Sequence, residues 1–283
     1  MEMPLTPDRH PLEAVIREAW ENPAYASSGE ALRAIEAVLE DLDRGLVRVA
    51  EPRPDGSGWT VHAWVRMAIH LFFRTAATVP VEVGPFTFRD KVPLKRDLEA
   101  QQIRLVPPGA IRHGAFLEPG VVVMPAYVNI GAWVGSGTMI DTWATVGSCA
   151  QVGRNVHVSG GVGIGGVLEP VQSDPVIIED EVFLGSRSIV VEGVRVGRGA
   201  VLGAGTVLTA STPIVDVRGE RPVVTRGSVP PGVVVVPGTW PRRFPAGEFH
   251  LSCALVIGER SDSTDRKIQR NEDLRDGSER EEA

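Results

Sequence analysis

Aliphatic residues recur at every sixth position through the middle of this chain, and that period constrains the fold more than any other feature. Val122, Val128, Val134, Ile140, Val146, Val152, Val158 and Ile164 form one unbroken series. Two places ahead of most of them stands a small or short residue: Ala126, Ala132, Thr138, Ala144, Ala150, Val156 and Val162. Turn-forming residues follow, among them Asn129, Gly135, Asp141, Gly147, Gly153, Ser159 and Gly165. The register slips by two within Val167 to Pro175, then resumes as Ile178, Leu184, Val190, Val196, Leu202, Leu208 and Ile214.

A period of six fits neither the helical period near 3.6 nor the strand period of 2. One aliphatic per unit points into a narrow core, and the small residue two places earlier fills the remaining space. The residue after the aliphatic turns a corner, where a positive φ is often needed. Three units close a triangular coil of ~18 residues, and coils stack at the strand spacing of ~4.8 Å. Such repeats are the mark of a parallel β-helix. Residues 110–215 are expected to wind about six coils. The segment at the slip is expected to be a loop pushed out of the repeat.

A narrow prism with many corners accounts for composition as well. Most of the 31 glycines fall between Gly109 and Gly238, and aromatic residues make up only 6% of the chain. The flanks differ in texture. Ala31, Ile35, Val38, Leu39 and Leu42 follow helical spacing, with Ser27 or Ser28 as N-cap and Gly45 as stop. Trp59 to Phe73 returns to helical period after a turn at Glu51 to Ser57. Three regions are expected: a helical domain over 1–103, a β-helix over 104–217, and a closing segment with a charged tail over 218–283. Within the last, Phe249 to Ile257 reads as a single strand, and a short helix is possible around Lys267 to Leu274. The prism ends expose sheet edges, which the helical domain and the closing strand are expected to cover.

Charge and composition exclude several classes. A net charge of -7 argues against non-specific nucleic-acid binding. No apolar run reaches the ~18 residues that would cross a membrane. Cys149 and Cys253 build no disulfide framework and read as small buried hydrophobes in a reducing compartment. With no secretory signature at Met1 to His10, the expectation is a cytoplasmic protein.

Certain stretches carry a resemblance. They are Arg104-Leu-Val-Pro-Pro, Gly114-Ala-Phe, Met124 to Gly131, Asp141-Thr-Trp-Ala-Thr through Gly153, and Val158 through Leu168-Glu-Pro170. With Leu46 to Glu51, Trp59 to Trp64, Asp90 to Lys95 and Ser252 to Val256, they make the chain similar to the tetrahydrodipicolinate N-succinyltransferase family. The resemblance implies a left-handed β-helix, an exception to the right-handed crossover rule. It also implies a homotrimer with active sites between neighbouring prisms. The implied reaction moves a succinyl group from succinyl-CoA to the amino group of ring-opened tetrahydrodipicolinate. The product would be N-succinyl-2-amino-6-oxopimelate, on the route to diaminopimelate and lysine, with no metal expected.

Asp141 is the foremost site candidate. Alone, a corner aspartate reads as an Asx-type turn bonding its own backbone; the resemblance implies a substrate-binding role instead. There the carboxylate would hold the substrate ammonium, with orientation outweighing proton transfer for a group of pKa ~3.9. Arg104 matches the family's other substrate-binding position, which implies that it holds a substrate carboxylate, because guanidinium groups grip carboxylates with two parallel bonds. Arg187 and Arg112 are weaker candidates, for the substrate or succinyl carboxylates. Ala204 and Gly205 are candidate small residues beneath a pantetheine arm. The stretch Arg187-Ser-Ile-Val-Val-Glu-Gly193 departs from the family, which carries Glu where Ile189 stands. A catalytic role for that Glu does not transfer, and Glu192 is expected to face elsewhere.

Three other readings compete. Tetrahydrodipicolinate N-acetyltransferases share the Leu168-Glu-Pro texture but not the Asp141-Thr-Trp-Ala-Thr block. A zinc hydrolyase needs about three His ligands, and the repeat offers His113 and His157. A non-enzymatic β-helix scaffold is the third.

Overall fold

The computed structural model describes residues 10–172 and 174–267. The tail beyond Lys267, where the short helix was expected, lies outside the described residues. Among the described residues no helix is long and apolar enough to cross a membrane.

The amino-terminal residues form α1 (Glu13–Glu21), α2 (Gly29–Asp43) and α3 (Ala63–Thr75). Ser28 caps α2, its Oγ accepting the Ala31 N–H at 3.2 Å. Gly45 ends it: φ is +71°, its N–H donates to Leu42 O, and Leu46 N–H donates to Asp41 O. That is a Schellman stop. Glycine is required here twice over, since a methyl group would come within 2.6 Å of the Phe116 ring. Between α2 and α3 a small hairpin pairs β1 (Ala50–Pro52) with β2 (Trp59–Val61). Between α3 and the prism, Val79 to Gln102 contains a second hairpin, β3 (Val79–Val83) with β4 (Phe86–Asp90).

From Arg104 onward the chain winds a triangular prism of two-residue parallel strands, the left-handed parallel β-helix. The first face stacks Arg104–Leu105, Val122–Val123, Met139–Ile140, His157–Val158, Phe183–Leu184 and Val201–Leu202. The second stacks Ala110–Ile111, Tyr127–Val128, Thr145–Val146, Gly163–Ile164, Ile189–Val190 and Val207–Leu208. The third runs from Phe116–Leu117 to Arg195–Val196 and ends on Ser228–Val229. The second residue of each strand faces inward, and the core is a column of these aliphatics with Ala126, Ala132, Ala144 and Ala150 between them. Each such side chain contributes roughly 1.5–3 kcal/mol on burial. Where a polar residue takes the small position it is bonded: Thr138 Oγ1 donates to Gly153 O and accepts from Val156 N–H.

Details of the repeat differ from expectation. Val123, not Val122, occupies the core, because the corner Met124 to Ala126 is one residue short. The repeat also begins earlier, with Leu105, Ile111 and Leu117 in register. The left-handed residue is the third of each full corner, as at Trp143, Gly161, Arg187 and Gly205, not the first. Glycine in first place answers another need: a methyl group on Gly147 would lie 2.3 Å from Gly166 N of the next coil.

The slip is the long corner between Ile164 and Ile177, as expected of a loop pushed outward. Its Val167 joins the core of the helical domain with Ile130 and Cys149, and Arg66 donates to Gln172 O. The three helices therefore lie along the corner between the second and third faces, and it is the last residues of the 1–103 region that reach the first end of the prism. Leu98 and Ile103 pack on the first end. The far end is closed by a hairpin of Val233–Phe244 and Gly247–Glu259, which replaces the single strand expected at Phe249 to Ile257. Val233, Val235, Ala254 and Val256 of that hairpin enter the prism core. Beyond residue 217, Ser228–Val229 pairs with Arg195–Val196 and completes the sixth coil.

Candidate active site

The corner between the first and second faces brings four of the five sequence candidates together. Its stacked turns are Asp141 to Ala144, Ser159 to Val162, Gly185 to Ser188 and Gly203 to Thr206, joined coil to coil by backbone bonds. Gly161 N–H donates to Thr142 O at 2.9 Å, Arg187 N–H to Gly160 O at 3.1 Å and Gly205 N–H to Ser186 O at 3.0 Å. Asp141, Arg187, Ala204 and Gly205 thus lie on one edge of the prism, on the third to sixth coils.

Asp141 bonds within its own turn. Its Oδ1 accepts from Thr142 N–H at 2.6 Å and Thr142 Oγ1 at 3.2 Å, an Asx-type contact that fixes the carboxylate. Its Oδ2 accepts no hydrogen bond from the described residues and faces the Gly160 corner, where a methyl group would lie 3.9 Å away. On the coil beyond, a methyl group at Gly161 would lie 3.3 Å from Arg187 Cγ. Two adjacent glycines therefore leave a notch with a carboxylate oxygen on one side and an exposed arginine on the other. Arg187 makes no ion pair with the described residues. Above it, Ala204 and Gly205 are exposed, and Gly205 has open space where a side chain would stand.

Arg104 is not part of this notch. It begins the first face and aligns with Val122 and, one coil further, Met139. Two coils, roughly 10 Å of axis, separate it from Asp141. Arg112 is further removed: at the second corner it bonds Asp90 Oδ2 at 2.8 Å and Asn129 Oδ1 at 3.2 Å.

Ile189 faces outward on the second face, 41% exposed and above Gly163. Glu192 sits at the opposite edge of that face, where its Oε2 accepts Ala210 N–H at 3.1 Å. It supplies no carboxylate to the notch. Sequence reasoning missed Trp143, whose ring is 70% exposed beside Asp141 with φ at +60°. That φ belongs to the repeat, since Cys149, Asn155 and Arg187 share it at the same corner position; what sets Trp143 apart is the exposure of its ring. His113 and His157 are apart: the first faces Asp43 and Glu40 of α2, the second stacks on Phe183. Among the described residues no group of three or more His, Cys, Asp or Glu could hold a metal ion.

Likeness to known sequences places this hexapeptide β-helix among the acyltransferases. The chain matches two family models, "Tetrahydrodipicolinate N-succinyltransferase N-terminal" over residues 11–75 and "Hexapeptide repeat of succinyl-transferase" over residues 175–210. Relatives named 2,3,4,5-tetrahydropyridine-2,6-dicarboxylate N-succinyltransferase match nearly its whole length. One from Burkholderia mallei is 48% identical, across 93% of this chain and 98% of the relative. Another from Albidiferax ferrireducens is 45% identical, across 94% and 98%. A solved structure of a putative 2,3,4,5-tetrahydropyridine-2-carboxylate N-succinyltransferase from Campylobacter jejuni aligns with a TM-score of 0.39. It is 15% identical, over 79% of this chain and 62% of that one. The chain belongs to the tetrahydrodipicolinate N-succinyltransferase family.

Proposed function

We propose that the chain transfers the succinyl group of succinyl-CoA to the amino group of ring-opened tetrahydrodipicolinate, in diaminopimelate and lysine biosynthesis. The nitrogen attacks the thioester carbonyl, a C–N bond forms, the C–S bond breaks, and the amine proton is released as CoA leaves. The observation that carries the reading is the notch itself. Asp141 Oδ2 and the Arg187 side chain flank Gly160 and Gly161, which leave room for a small substrate between them.

Asp141 binds and orients the amine, since Thr142 holds its other oxygen in place. An ordinary carboxylate is a weak base, so its main contribution is positional. Arg187 takes a carboxylate of the substrate or of the succinyl group through its planar fork. The pantetheine arm runs over Ala204 and Gly205. Amide formation from a thioester needs no metal, because the thiolate is already a competent leaving group.

Arg104 binds the far carboxylate. Its separation from Asp141 along one prism supports a site shared between chains, and the assembly is a homotrimer acting in the cytoplasm. Sedimentation equilibrium should give three times the chain mass. A CoA-release assay with succinyl-CoA and the amine substrate tests the reaction. Asp141→Asn should lower kcat/KM by about a hundredfold or more. Near-normal turnover in that variant overturns its assignment, and preference for acetyl-CoA overturns the acyl donor.

A further inference from the structure

The third face, across the prism from the Asp141 edge, carries a second cavity of about 460 Å³ where the β1–β2 hairpin lies over the coils. Three carboxylates line it, and each is paired with an arginine. Glu118 takes a two-pronged contact from Arg154, at 2.9 and 3.0 Å, and also accepts Ser136 N–H. Glu179 holds Arg195 and the Trp59 indole N–H on one oxygen and Arg198 N–H on the other. Asp180 accepts from Arg154 N–H and from the Arg198 guanidinium.

One cation is left over. Arg48 reaches in from the helical domain, stacked 4.2 Å from the Trp133 ring centroid and 5.3 Å from that of Trp59. Its Nε donates to Oε1 of the fully buried Gln151 at 2.6 Å. That fixes the plane of the fork. Neither of its two terminal nitrogens has a hydrogen-bond partner, and no carboxylate lies within 4.0 Å of it, among the described residues. Burial pushes this guanidinium down to about 10, against the pull of Glu118. A cation held this way, flanked by two indoles with one edge uncommitted, is complementary to a planar anion approaching in its own plane.

We infer that Arg48, between Trp59 and Trp133, forms a second ligand site that binds a small carboxylate through its two terminal nitrogens. Each cavity carboxylate is paired with an arginine, Glu118 with Arg154, Glu179 with Arg195 and Asp180 with Arg198, so the cation left to an incoming anion is Arg48. The site is separate from the catalytic corner, and its test does not use turnover.

Acetate and benzoate should be titrated at constant ionic strength, with chloride as the balancing anion, while tryptophan fluorescence is followed. The expected result is saturable binding that survives Arg187→Ala. Arg48→Lys keeps the charge but not the fork and should weaken binding by about tenfold or more. Crystals soaked in 4-bromobenzoate should show an anomalous peak in the Arg48 cavity. That peak places the ligand in the wild-type protein even if Arg48→Lys does not fold. Absence of saturable binding, unchanged affinity in a folded Arg48→Lys, or loss in Arg187→Ala overturns the site. So does a peak only at the Asp141 edge. Each of those results leaves Arg48 as a clip between the two parts of the chain.

Discussion

Lys95 Nζ lies 2.9 Å from Asp43 Oδ1, in a side chain with no exposure to solvent. The pair pins the end of α2 to the first coil, since Asp43 Oδ1 also accepts Gly114 N–H at 2.8 Å and Lys95 donates to Asp43 O. Burial lowers the lysine pKa, while Asp43 pulls the other way. Removing one partner of such a pair strands the other. Asp43→Ala leaves an ammonium without its counter-ion and should cost about 3 kcal/mol or more. Lys95→Met leaves a carboxylate that is partly solvated and still bonded to Gly114, so it should cost less. Urea unfolding of the two variants measures the difference, and equal losses would contradict this account.

The notch predicts a separation between folding and activity. A methyl group at Gly160 meets only ordinary contacts, 3.4 Å from Thr142 O and 3.9 Å from Asp141 Oδ2. Gly160→Ala should therefore unfold close to wild type while kcat/KM falls by about tenfold. Gly161 has φ at +70°, so Gly161→Ala should lose roughly 1–2 kcal/mol of stability as well. Thermal melts paired with initial rates distinguish the two.

Ile189 and Glu192 give a prediction about what the reaction does without. Glu192 bonds Ala210 at the far edge of its face, so Glu192→Gln should leave kcat/KM within about twofold. Ile189 is half-exposed, so Ile189→Glu should change stability by no more than ~0.5 kcal/mol. A hundredfold loss in Glu192→Gln would show that this acid serves the notch after all.

Cys149 is fully buried, and burial pushes its thiol up to about 12. The folded chain keeps a proton that the unfolded chain releases near pH ~8.5, so stability falls as pH rises above that value. Between pH 9 and 10.5 the loss attributable to this thiol approaches ~1.4 kcal/mol per pH unit. Denaturant midpoints of wild type and Cys149→Ala should converge over that range. Parallel curves would place the thiol in contact with solvent.

Sequence periodicity determined a great deal here, because in a solenoid each coil contacts its neighbours and a local six-residue rule repeats into a global shape. The aliphatic column, the outward loop at Val167 to Pro175, the Ser28 cap and the Gly45 stop all follow from local spacing. The corners that hold Asp141, Arg187, Ala204 and Gly205 stack for the same reason, although the four residues take first, third, second and third places within them. Tertiary structure decided what the period does not encode. A three-residue corner put Val123 in place of Val122, and coil-to-coil crowding explained glycine in first place at Gly147. The helical domain lay along a corner because Ile130, Cys149 and Val167 present an apolar seam there, and no single repeat reveals that seam. The distance from Arg104 to Asp141, and the lone cation at Arg48, likewise arise from how faces and domains stack, a relation between segments far apart in the chain.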